Sequence, residues 1–91
     1  MVIITDEKNG TTRHITAIPE GVCSRLIDLT LNGDVIEKVT FTSGCNGNLQ
    51  GIAALVKGMT TKEAASKLRG IMCGTKGTSC PDQFAKLLDK I

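Results

Sequence analysis

The stretch SRLIDLTLNGDVIEKVTFTSG, residues 24–44, reads as two strands turned at Asn32-Gly33. Before the turn Ile27, Leu29 and Leu31 alternate with polar residues; after it Val35, Val39 and Phe41 also hold odd positions. Side chains in a strand alternate between faces, so each apolar set belongs to one face of a sheet. A two-residue loop would set the odd positions of the two strands on opposite faces. A three-residue loop, 32–34, pairs Leu31 with Val35 and Ile27 with Val39 and brings both sets to one face. That is the expected register. It places Cys23 opposite Ser43, with Cys45 two residues further along the same face, about 7–8 Å away on the diagonal.

Upstream, VIITDEKNGTTRHITA (residues 2–17) is a second hairpin turned at Asn9-Gly10, and Pro19-Glu20-Gly21 ends it. Downstream the apolar period lengthens to that of a helix. NLQGIAALV sets Leu49, Ile52, Ala53 and Val56 on one stripe. TTKEAASKL opens with Thr60 and Glu63 at capping-box spacing. PDQFAKLLDKI starts with Pro81 in a favoured first helical position and carries Phe84, Leu87, Leu88 and Ile91. Pro81 in that place makes Cys80 the expected N-cap, where free backbone N–H groups and the helix dipole favour a thiolate. Strands followed by helices imply an α+β domain: a small antiparallel sheet with about three helices packed on one face.

The composition narrows the function classes. The chain has 91 residues, a formal charge of +2, two phenylalanines and neither tryptophan nor tyrosine. That charge is too small for nonspecific nucleic-acid binding, and there are no tyrosines or tryptophans on which bases could stack. MVIITDEKNG is acidic where a signal peptide is basic, and no apolar run reaches membrane-spanning length. The expectation is a soluble, cytoplasmic protein with neither nucleic acid nor membrane as partner. In that compartment four cysteines are metal-binding or redox groups rather than a disulfide framework.

Cys23, Cys45, Cys73 and Cys80 form no CxxC pair, so linear spacing alone is a weak metal signal. Their surroundings say more. Six of the ten glycines (Gly21, Gly44, Gly47, Gly70, Gly74 and Gly77) lie within three residues of a cysteine, as where backbone approaches a bound atom closely. All four cysteines fall at the predicted ends of elements, where sites are assembled. Metal or cluster binding, a redox dithiol and inert core thiols all stay open at this level.

The residues TSCPD at 78–82, within GTSCPDQFAKLL, give a resemblance to the TSCPD-domain family. From Gly21 through GCNGNLQGIAALVKGM to the end, the chain looks like that family's small four-cysteine stand-alone proteins. The hairpin of 1–18 lies outside the best-matching region, within one domain spanning 1–91. The family's domain also occurs at the C-terminal end of adenosylcobalamin-dependent ribonucleotide reductases, which implies an accessory role beside such an enzyme. A second resemblance, in the order of LTLNGDVIEKVTFTSGC, LVKGMTTKEAASKL and a cysteine opening the last helix, is to U-type iron–sulfur cluster scaffolds. It implies that Cys23, Cys45 and Cys80 bind zinc or a nascent cluster; Cys73 is a further thiol able to supply a fourth ligand. The sequence departs from that pattern at Arg25, where the scaffolds carry aspartate, and at Ser79, where they carry histidine. It also lacks their chaperone-recognition segment.

The resulting expectation is a metal-binding module whose cofactor is zinc or an iron–sulfur cluster, held by Cys23, Cys45, Cys73 and Cys80 with no catalytic residues of its own. Its protein partner would be a ribonucleotide reductase or a cluster-handling protein. The alternative is a redox dithiol protein serving or regulating such a reductase. GCNGNLQG, glycine-rich before a helix, does not fit the P-loop or dinucleotide fingerprints. His14 reads as an ordinary strand residue. Between Lys57 and Lys76 five basic residues accompany only Glu63, as on a solvated helix face or, more sharply, a partner-binding surface. Asp82 and Gln83 sit in a first helical turn and suit its dipole, with no second carboxylate to make an acid–base pair.

Overall fold

The structure, a computed structural model, describes residues 1–22, 24–42, 46–71 and 77–91. Four strands come first: β1 (Val2–Asn9), β2 (Thr12–Ile18), β3 (Leu26–Asn32) and β4 (Val35–Thr42). Three helices follow: α1 (Asn46–Val56), α2 (Thr61–Leu68) and α3 (Cys80–Lys90). The strands pair antiparallel in sequence order, a meander that short turns alone can connect. The α+β class, with the helices gathered on one sheet face, is as expected.

Alternation supplies that face. Across β2, β3 and β4 the rows Ala17–Ile27–Phe41 and Ile15–Leu29–Val39 stand side by side, and all but the half-buried Phe41 are buried. Val56, Ala64, Ala65, Phe84, Ala85, Leu87 and Leu88 close over them to make one hydrophobic cluster. Phe41 and Phe84 meet edge to face, ring centroids 5.8 Å apart at 80°, a geometry that sets the positive edge of one ring on the negative face of the other. The opposite sheet face is polar: the Thr16 hydroxyl donates to Asp28 at 2.9 Å, and His14 lies 3.7 Å from the same carboxylate. His14 is thus a half-exposed strand residue.

The central hairpin corrects the expected register. Asn32 pairs with Val35 across a two-residue turn of Gly33 and Asp34, and Leu31 faces Ile36 rather than Val35. Gly33 turns at φ +64°, which glycine adopts without a Cβ penalty, and its amide donates to Thr11 of the neighbouring turn at 2.7 Å. The pairing then steps from Leu31↔Ile36 to Thr30↔Lys38, which makes Glu37 the extra residue of a β-bulge. The bulge lets Ile36 and Val39, three residues apart, both face the core. Beyond it Ile27 pairs with Phe41, not with Val39, and the stem closes at Leu26↔Thr42. The expected juxtaposition of Cys23 with Ser43 and Cys45 falls outside the described residues.

Every residue of β1 is exposed, so it is held through β2 alone. The other edge is covered. Ile36 exchanges backbone hydrogen bonds with Gly58 and Met59 at 2.8 Å each, and Val35 bridges to Thr60. Thr60 caps α2 as its sequence implies, its hydroxyl accepting from the Glu63 amide at 3.1 Å.

Phe84 is fully buried beneath the sheet. Phe84→Ala should cost about 3–5 kcal/mol, the usual loss for a buried aromatic truncation. Against a total stability of about 5–14 kcal/mol for a chain of this length, urea titration should find the variant close to unfolding.

Candidate functional site

Cys80 is the one candidate ligand among the described residues; Cys23, Cys45 and Cys73 lie outside them. Its place differs from the expected one by a single position. Ser79, with extended φ and ψ of −153° and 171°, is the N-cap of α3, and Cys80 is the first helical residue. Serine wins because its hydroxyl has two complementary partners there. It accepts from the Asp82 amide at 3.1 Å and donates to the Ile71 carbonyl at 2.5 Å. Cys80 is displaced inward to 9% exposure, and its sulfur accepts a 3.2 Å hydrogen bond from the buried Ser24 hydroxyl.

Four polar residues stand buried around this helix start: Ser24, Ser79, Asp82 and Gln83. Each is satisfied, and no buried side-chain nitrogen or oxygen among the described residues lacks a partner. Asp82, 2% exposed, accepts from the Gly70 amide at 2.8 Å and from the Thr78 hydroxyl at 2.6 Å. Lys86, one turn on, reaches the same carboxylate at 3.2 Å. Burial pushes the Asp82 carboxyl up, but the hydrogen bonds from Thr78, Gly70 and Lys86 outweigh it and hold the group below the usual carboxylate range. Gln83 accepts from the Glu20 amide and donates to Thr78 Oγ1, each at 3.1 Å. Asp82 and Gln83 therefore do more than suit the helix dipole; they tie residues 20, 70 and 78 to α3.

The arrangement gathers chain ends. Glu20 and Ser24 lie beside the first turn of α3, and the Arg25 amide donates to the Thr42 carbonyl at 2.8 Å, so β3 begins where β4 ends. Gly70 and Ile71 on one side and Thr78 and Ser79 on the other hold the two ends of the 72–76 segment. Among the described residues no group of three or more His, Cys, Asp or Glu side chains could hold a metal. Sequence reasoning passed over Ser24 altogether. Gln83, a polar residue one turn before Leu87 on the buried face of α3, was the signal available for the network.

Two of the five basic residues of the stretch, Lys67 and Arg69, make ordinary surface pairs. Lys67 lies 3.8 Å from Glu63 one turn earlier, and Arg69 makes a two-pronged contact with Asp89 at 2.7 and 3.0 Å. No described helix is long and apolar enough to cross a membrane.

Comparison with known proteins gives one match: the family model of the TSCPD domain fits residues 4–91, nearly the whole chain and including most of β1. No curated protein and no solved structure matches the chain.

Asp82→Asn should destabilise the protein by about 1–3 kcal/mol, because the amide forfeits the ionic contact with Lys86 and turns an N–H toward a donor. For a domain of this size that loss is a fall of roughly 4–20 °C in melting temperature, measurable by circular dichroism.

Proposed function

Since the chain belongs to the TSCPD-domain family, we propose that it is a small metal-binding module in which Cys23, Cys45, Cys73 and Cys80 hold zinc or an iron–sulfur cluster. The observation that carries the reading is the setting of Cys80: its sulfur sits at the N-terminus of an eleven-residue helix, under a donated hydrogen bond. Both features suit a thiolate ligand. The positive end of the helix dipole and the Ser24 hydroxyl offset the negative charge that several thiolates bring to one metal.

Chain connectivity supports the other three. Cys23 is the immediate neighbour of Ser24, whose hydroxyl touches the Cys80 sulfur. Cys45 follows Thr42 by three residues, a reach of at most about 11 Å from the strand end hydrogen-bonded to Arg25. Cys73 belongs to the segment whose two ends Asp82 and Ser79 tie down. The donor set fits either group, since four thiolates serve structural zinc and iron–sulfur clusters alike. Zinc in such a shell supplies cross-linking of the fold, and a cluster supplies one-electron chemistry. A closed four-thiolate shell leaves no position for a substrate, so the module has no stand-alone activity. It acts beside a protein partner in ribonucleotide reduction or in metal and cluster handling, in the cytoplasm, where its thiols stay reduced.

Anaerobic purification tests the reading directly, because the chain has no tyrosine or tryptophan and visible absorption must come from a bound group. The expected result is either brown protein with iron and sulfide, or colourless protein with zinc ringed by sulfurs at about 2.3 Å in X-ray absorption. Cys80→Ala should lose most of the metal, and chelation of the wild type should lower its melting temperature. Metal-free protein with a reversible disulfide would instead make it the redox dithiol serving a ribonucleotide reductase.

A further inference from the structure

The hydrogen bonds that dock residues 20–24 on α3 come from two buried side chains, Ser24 and Gln83. Ser24 is 3% exposed and directs its hydroxyl at Cys80 Sγ, 3.2 Å away. Gln83 is 6% exposed and uses both ends of its amide, accepting from the Glu20 N–H and donating to the Thr78 hydroxyl. The reverse amide orientation would set N–H against N–H at Glu20, so its direction is determined by the network. Gly21 turns the chain here at φ +68°, a conformation glycine adopts without a Cβ penalty.

We infer that Ser24 and Gln83 are positioning residues of the cysteine site. They register the segment that leads into Cys23 against the helix start that carries Cys80, before any metal arrives. The inference rests on the metal-binding reading and names the part of the fold that serves it. A ligand sulfur already oriented by a neighbouring hydroxyl loses less freedom when it binds, and the same donor then stabilises the metal-bound thiolate. Among the described residues the Gln83 amide bonds to Glu20 and Thr78 and not to Cys80. It acts through residue 20 on one side and Thr78 on the other, which brackets Cys80 between two fixed stretches of chain.

The test is zinc affinity measured by competition with a chromophoric chelator, beside the melting temperature of each metal-free protein. Ser24→Ala and Gln83→Leu should each bind zinc about tenfold more weakly or worse, the usual cost of removing an outer partner of a metal ligand. Ser24→Thr, which keeps the hydroxyl, should stay near the wild type. Thr60→Ala, which removes the α2 cap remote from Cys80 in the chain, should lower the melting temperature and leave affinity unchanged. Unchanged affinity in Ser24→Ala and Gln83→Leu would overturn the inference. So would affinities that follow melting temperature across all variants, Thr60→Ala included, since that is what a merely structural role produces. A wild type that takes up no zinc and carries no cluster would overturn the metal reading itself.

Discussion

A carboxylate buried at the start of the last helix is the constraint on which the C-terminal half of this protein depends. Taking Asp82 out of water is costly, and the chain recovers the cost only where donors surround it. The Gly70 amide, the Thr78 hydroxyl and Lys86 are those donors, and they come from three different places in the chain. Satisfying Asp82 therefore fixes the exit from α2, the approach to α3 and the first turn of α3 together. Arg69, next in the chain to Gly70, reaches along α3 to Asp89, so the C-terminal end of α2 is held at both ends of α3. Ala64, Ala65, Ala85 and Leu88 are buried in the same core, two of the alanines without any exposure at all.

The sheet receives this helical layer asymmetrically. Core rows run across β2, β3 and β4, while β1 lies beyond the helices with both faces in solvent. Val2 and Ile4 are about half exposed there, at 57% and 51%. Such an edge invites pairing with other strands, and the register shift between Ile3 and Thr5 together with Asp6, Glu7 and Lys8 works against it. The β4 edge is occupied at its first two residues, Val35 and Ile36, by the chain between α1 and α2.

The five residues at 78–82 divide their work. Thr78, Ser79 and Asp82 hold one another and the neighbouring backbone, and Pro81 presets the helical φ. Cys80 takes no part in that scaffold. Among the described residues its sulfur receives a hydrogen bond from Ser24, outside the signature. A fold that spends four residues orienting a fifth is consistent with a ligand whose direction matters.

The sequence by itself determined what depends on neighbours in the chain. Odd-position alternation through Ile27, Leu29 and Leu31, the Asn-Gly turns, the Thr60 cap and the Phe84–Leu87–Leu88 stripe each encode one element, and their order gives the α+β class. Tertiary structure decided what depends on partners brought from elsewhere. Glu37 bulges while Ile36 exchanges backbone bonds with Gly58 and Met59, and the bulge moves the pairing beyond it by one residue from that set at the turn. Ser79 displaced Cys80 from the cap because the Ile71 carbonyl stood ready to accept a hydrogen bond from its hydroxyl. Gln83 and Ser24 acquired their roles from Glu20, Thr78 and Cys80, residues that no local period connects. Hydrophobic periodicity is written along the chain, whereas a hydrogen bond between distant segments exists only once the fold has set donor and acceptor about 3 Å apart.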